Sequence, residues 1–261
     1  MPGLDRATAR NWIDRWDLQQ EDSLPDREDR FTALIDAVEE GTVGTASPLI
    51  LDIGCGPGSL AVRLLDRIPH ATVIGIDADP VTLALGQAAY ENVRFADLDL
   101  RVPGWSGALG LDGDRKADIA VSTTALHWLP EPELRAMYKE LATILKPGGM
   151  LLNGDQFRLD ADRNPTLDRL DVALRKHEDA RRFPDGHSES WSGWWEAVAA
   201  DPVLSQHVME RDRRRVEAGH HGGESTRLAV HVAALEAAGF AEIGTLWQRG
   251  DNRLLCAVLP A

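Results

Sequence analysis

Leu51-Asp52-Ile53-Gly54-Cys55-Gly56-Pro57-Gly58 is the stretch on which the fold turns. With Pro48, Leu49 and Ile50 before it, residues 48–53 make a short apolar run of the kind a buried parallel strand shows. The glycines then let the chain turn sharply out of that strand and let a ligand come close to the backbone. As a Gly-x-Gly-x-x-Gly loop it departs from the dinucleotide pattern, because the third glycine position is Ser59. Pro57 removes a backbone N–H that a phosphate would use. Asp52 stands where a pyrophosphate binder keeps an apolar residue, and a carboxylate there suits a ligand carrying an ammonium group.

Outward from this loop, strands and helices alternate. Leu60, Leu64, Leu65 and Ile68 mark a helix, and Thr72–Ile76 a second strand. Asp79-Pro80 reads as an N-cap followed by proline at the first helical position, with the helix running to about Tyr90. Strands are expected at Asn92–Phe95, Asp118–Val121 and Met150–Asn153, with a helix over Pro132–Leu145 that stops before Pro147. A helix over Thr226–Ala238, stopped by Gly239, leads to Glu242–Gln248 and Arg253–Leu259, expected to form an antiparallel pair.

The alternation predicts an α/β, Rossmann-like doubly wound sheet of about seven strands, mostly parallel with the last antiparallel. Four regions follow: N-terminal helices at 1–47 forming a lid, a cofactor-binding core at 48–155, a helical insertion at 156–225 capping the ligand edge, and the rest of the core at 226–261. In such sheets ligands bind beyond the carboxyl ends of the strands, which brings Gly54–Gly58, Asp77, Asp97 and Ser122–Trp128 to one rim. Asp77 ends the second strand, where a carboxylate accepts from ribose hydroxyls, and Asp97 follows the third, where it could accept from an adenine amino group. Ammonium, ribose and adenine are the polar handles of S-adenosylmethionine.

The runs ILDIGCGPGS, GIDAD, FADLDL, ADIAVSTTALHWLP and LATILKPGGMLL resemble the class I S-adenosylmethionine-dependent methyltransferases. They are similar in particular to the small-molecule group that includes the trans-aconitate methyltransferases. The resemblance covers residues 48–154 well, the last 35 residues loosely, and the insertion not at all. It implies that Asp52, Gly54, Cys55, Gly56 and Gly58 lie at the methionine moiety, Asp77 and Ala78 at the ribose, and Asp97 and Leu98 at the adenine. Thr123 would open the segment between cofactor and substrate, and S-adenosylhomocysteine would be the product.

Methyl transfer from a sulfonium is an in-line displacement, so the protein mainly aligns nucleophile and methyl group and removes a proton where the nucleophile carries one. His127, just past the fourth strand, is the candidate base, with packing against the cofactor as the alternative. Trp128 adjoins it. Trp12 and Trp16 share a helix face with Ala9 and Ile13, and serve either as a lid or as core. Trp191, Trp194 and Trp195 either line an acceptor pocket, for which Trp191 and Trp195 are the candidates, or form the insertion's own core. His220 and His221 suggest a substrate loop, with Arg181 or Arg182 nearby for an anionic acceptor. A metal is not expected, because adjacent histidines on an extended chain point apart and no helical His-x-x-x-His pair occurs. Arg211 and Arg213–Arg215 read as a solvated helix face.

Composition narrows the rest. The 261 residues carry 28 Lys plus Arg against 42 Asp plus Glu, a formal charge of −14 that disfavours a phosphate backbone as partner. Ser122-Thr123-Thr124-Ala125 also lacks an Asn-Pro-Pro-type tetrapeptide, so a nucleic-acid acceptor is not expected. Two cysteines make neither a disulfide framework nor a cysteine zinc site. No stretch approaches the ~18–20 apolar residues of a membrane span, and the expectation is a cytoplasmic enzyme acting on a small molecule. A nicotinamide-dependent oxidoreductase and a non-catalytic S-adenosylmethionine-binding regulator are the competing readings. Oligomeric state is not legible.

Overall fold

The computed structural model describes residues 3–24, 26–111, 115–184, 189–218 and 227–261. Strands β1 (Leu49–Ile53), β2 (Thr72–Asp77), β3 (Arg94–Asp97), β4 (Ala117–Thr123), β5 (Leu145–Gln156), β6 (Glu242–Arg249) and β7 (Asn252–Val258) form one sheet in the order β3-β2-β1-β4-β5-β7-β6. The five strands from β3 to β5 are parallel, and β7 runs antiparallel to both β5 and β6. The expected sheet is therefore present. The order reverses between β1 and β4, which opens a crevice at their carboxyl ends.

Boundaries differ where pairing overrides local pattern. β3 begins at Arg94, two residues beyond the expected start, because its register is set by Ile74–Asp77 of β2. β5 is far longer than Met150–Asn153, since it is paired on both sides, by β4 and by β7 through Gln156.

Helices cover both faces. On one side α1 (Arg6–Ser23), α2 (Arg27–Gly41), α3 (Ser59–Arg67) and α4 (Pro80–Ala89) bury Ile13, Phe31, Leu34, Leu64 and Leu85 against Ile50, Val121 and Leu152. On the other, α5 (Glu131–Ile144) and α9 (Leu228–Ala238) bury Leu134, Tyr138, Leu141 and Leu235 against Leu51, Ala120 and Leu255. Caps fix the starts: Asp5 accepts from the Thr8 N–H at 2.8 Å, and Asp79 from the Val81 N–H at 2.9 Å ahead of Pro80.

The insertion supplies α6 (Pro165–Arg182), α7 (Trp191–Ala200) and α8 (Ser205–Ala218). α6 buries no residue and is held by charge, through Arg182 to Asp26 and Glu178 to Arg249. α7 packs on α1, and α8 on α4, so these two helices border the crevice. Among the described residues, no helix is long and apolar enough to cross a membrane.

Candidate active site

A cleft of about 1530 Å³ lies at the carboxyl ends of β1, β2, β3 and β4, under α1, α7 and α8. Its lining brings together Gly54, Cys55, Gly56, Asp77, Ala78, Asp97, Leu98 and Thr123 with Trp16, His127, Trp128, Trp191 and Trp195, and a Cβ on Gly56 would lie 3.7 Å from Trp16 Cζ2. Gly54 has φ +70°, and a Cβ on it would lie 2.3 Å from that of Ala125, so only glycine lets the two loops close together. The opposing loop turns at Thr124, which holds φ +48° and donates its N–H to Gly154 O at 2.8 Å.

Asp77 braces the glycine loop. One oxygen accepts from the Gly56 N–H at 2.7 Å, the other from the N–H groups of Ala78 at 2.7 Å and Asp79 at 2.9 Å. Burial, only partly offset by the Asp79 N–H, lifts its carboxyl to about 6.

Asp52 corrects an expectation: it is not on the cleft wall but fully buried behind the loop. Neither of its oxygens has a partner at hydrogen-bond geometry, and the Ala61 N–H of α3 works to lower its proton affinity. Burial first, then the nearby charge of Asp77, pushes it up to about 7. Two carboxylates beneath one loop, with no basic side chain bonded to either, fit a ligand bearing a sulfonium and an ammonium group. That donor set, with Pro57 in the loop, does not suit a pyrophosphate.

The tryptophans divide. Trp12 is buried, donates its indole N–H to Asp201 at 2.9 Å and stands edge-on to Trp194 at 5.8 Å. It belongs to the core with Trp194 and does not reach the cleft, contrary to its candidacy for substrate contact. Trp16, Trp191 and Trp195 do reach it, with ring centroids 5.3, 5.7 and 6.3 Å apart. Trp128 is 52% exposed beside the His127 ring at 5.0 Å. His220 and His221 lie outside the described residues. His231 is buried, bonded to the Tyr138 hydroxyl at 2.6 Å and packed on Phe157.

The arginine run of α8 is a solvated face at Arg213 and Arg215, as expected, but not at Arg211 and Arg214. Arg211 stacks over Trp195 at 3.5 Å and donates to Asp79 at 2.6 Å. Arg214 grips both oxygens of Asp97, at 2.6 and 2.8 Å, and donates to Ala78 O at 2.9 Å. A charge run by itself reads as solvent exposure, because α8's inner face is marked only by the acids it meets. Arg213 does pair within its own helix, with Glu210.

Reasoning from sequence also missed Asp155 and Arg30. Asp155 lies 1% exposed near the end of β5, with its oxygens 2.9 and 3.0 Å from His127 Nδ1. An acid at a strand's carboxyl end was the available signal, the same one that marked Asp77. Arg30, from α2, is fully buried and donates to Asn252 Oδ1 at 2.6 Å and Thr123 Oγ1 at 2.7 Å. No sequence pattern distinguishes it from a surface arginine.

Residues 50–149 match the family described as a methyltransferase domain. The chain is 28% identical over 146 residues to a trans-aconitate 2-methyltransferase of Escherichia coli O157:H7 (strain EC4115 / EHEC), covering 55% of this chain and 50% of the relative. A trans-aconitate 2-methyltransferase of Azoarcus sp. (strain BH72) is 30% identical over 136 residues, covering 52% and 49%. The chain thus spans about half the length of these curated relatives. Among solved structures, SAM-bound CalS10, an amino pentose methyltransferase from Micromonospora echinaspora, superposes with a TM-score of 0.52 at 16% identity, covering 88% of this chain and 90% of that one. An O-methyltransferase family protein from Burkholderia thailandensis does so at 0.52 and 19%, covering 94% and 64%. Residues 50–149 thus resemble a methyltransferase domain, and they carry the glycine loop and four of the strands of a sheet whose fold the solved methyltransferases share.

Proposed function

We propose that this chain transfers the methyl group of S-adenosylmethionine to a small-molecule acceptor. The observation that carries the reading is that a single cleft joins the glycine loop and the strand-end acids to a histidine and a tryptophan wall. Bound in the cleft, S-adenosylmethionine supplies an electrophilic methyl group whose carbon–sulfur bond breaks toward sulfur, leaving S-adenosylhomocysteine. The loop Gly54–Gly58, including Cys55, would hold the methionine part above the buried charge of Asp52. Asp77 and Ala78 would meet the ribose, Asp97 and Leu98 the adenine, and Thr123 would border the reacting centre.

The acceptor would sit between His127 and the surfaces of Trp16, Trp128, Trp191 and Trp195. These indoles favour a flat, apolar body. Arg27, Arg101, Arg211, Arg213 and Arg214 border the same cleft, yet each already holds a carboxylate of the chain itself. A polyanionic acceptor would have to break such pairs, so a largely neutral one is favoured.

Calorimetric titration with S-adenosylmethionine, S-adenosylhomocysteine and NAD tests the reading. Binding of the first two in the micromolar range and none of NAD is expected. Binding of NAD alone would replace it with an oxidoreductase. Cofactor binding with no methyl transferred across a broad acceptor panel would replace it with a non-catalytic regulator.

A further inference from the structure

We propose that Asp155 and Arg30 form a buried relay that fixes His127 with its proton on Nδ1 and Nε2 turned to the cleft. This makes His127 the base for an acceptor that presents a hydroxyl. The inference rests on the methyl-transfer reading and names the class of nucleophile that reading leaves open.

The geometry begins at Nδ1. Both Asp155 oxygens lie within hydrogen-bond distance of it, and an ionised carboxylate only accepts, so Nδ1 must donate. In the neutral ring Nε2 is then the acceptor, and His127 lines the cleft. Asp155 Oδ1 also accepts from the Gln156 N–H at 2.8 Å, which fixes the rotation of the carboxylate. Burial works to raise this carboxyl, but the charge and hydrogen bond of His127 and the Arg30 guanidinium outweigh it and hold it below its ordinary value.

Arg30 lies beside Gly154, the residue that precedes Asp155. It crosses from α2 over the strand ends, and a Cβ on Gly154 would lie 2.8 Å from its Cδ and Nε. Its own hydrogen bonds go to β4 and β7 rather than to the carboxylate, so it acts on Asp155 through charge. Burial lowers the proton affinity of Arg30 itself, Asp155 opposes that, Arg27 adds to it and Glu21 opposes it. Burying a guanidinium this completely costs several kcal/mol unless its charge is used. A histidine that merely packed against a cofactor would need neither charge.

The step balances. The acceptor's hydroxyl oxygen forms a bond to the methyl carbon as the carbon–sulfur bond breaks toward sulfur, and the hydroxyl proton passes to Nε2. It leaves to solvent through the ring, whose side chain is 23% exposed. An acceptor carboxylate is already anionic and would give this base no proton to take.

The test is a long-range 1H–15N spectrum of 15N-histidine-labelled protein, with the His127 signals assigned by their loss in His127→Gln. Wild-type protein is expected to show the Nδ1–H tautomer in its neutral ring. In Asp155→Asn the Gln156 N–H keeps the amide oxygen, the amide nitrogen faces Nδ1 as a donor, and the tautomer is expected to switch to Nε2–H. An Nε2–H ring in the wild type, which needs no variant to fold, would overturn the relay, and so would an unchanged tautomer in Asp155→Asn. S-adenosylhomocysteine titrated into the same samples is expected to bind both proteins within about twofold. Failure to bind the wild type, with the Nδ1–H signature intact, would overturn the methyl-transfer reading instead. With 1-naphthol as acceptor the wild type is expected to release S-adenosylhomocysteine at least 100-fold faster than Asp155→Asn. Equal rates, or turnover of trans-aconitate alone, would overturn the acceptor class.

Discussion

Asp52→Asn tests a carboxyl buried without a partner. The side chain has no exposure and no hydrogen-bond partner for either oxygen, and its carboxyl is pushed up to about 7 from an ordinary value of 3.8. Because the folded pKa is raised, the native state holds a proton that the unfolded chain has already released. Stability is therefore highest at low pH and falls as pH rises from about 4 to about 7. At ~1.4 kcal/mol per unit, the penalty is ~2 kcal/mol near pH 5.5 and ~4 kcal/mol near pH 8.5. Asparagine keeps the shape and removes the titration, whatever constant cost its unpaired amide carries. The stability of Asp52→Asn relative to wild type should thus improve by ~2 kcal/mol between those two pH values. Urea unfolding at each pH, with the midpoint and slope compared, measures this. Parallel pH dependence in the two proteins would refute a buried, unpartnered carboxylate at Asp52.

Other consequences are as direct. Arg214→Ala releases both oxygens of Asp97 from a partly exposed ion pair, so S-adenosylhomocysteine should bind more tightly by up to ~1 kcal/mol, and weaker binding in calorimetry would count against an adenine site at Asp97. Gly154→Ala puts a methyl group 2.8 Å from Arg30 and should lower the unfolding free energy by ~1–3 kcal/mol; a change under ~0.5 kcal/mol would mean that Arg30 does not lie across the strand. Trp194→Ala empties the centre of the indole cluster and should cost ~3–5 kcal/mol, whereas Trp191→Ala, 39% exposed at the cleft, should cost under ~1 kcal/mol. Similar thermal shifts for the two would contradict the division of the tryptophans between core and cleft.

What the sequence alone determined was whatever depends on neighbours along the chain. The run 48–58 announced a strand leaving through a glycine turn, and the alternation after it allowed only a doubly wound sheet. From that, Asp77, Asp97 and His127 could be brought to one rim without coordinates, because every parallel strand ends on the same side. The tertiary structure alone decided which side chains of a given helix face met a partner. Trp12 and Trp16 share one face by periodicity, yet the crossing of α1 and α7 sends Trp12 to Trp194 and Asp201, and Trp16 to the cleft. Arg211 and Arg214 turn inward because α8 packs beside Asp79 and Asp97, which lie more than 100 residues earlier in the chain. Arg30 and Asp155 are 125 positions apart and act through low dielectric, a property of burial that no local pattern encodes.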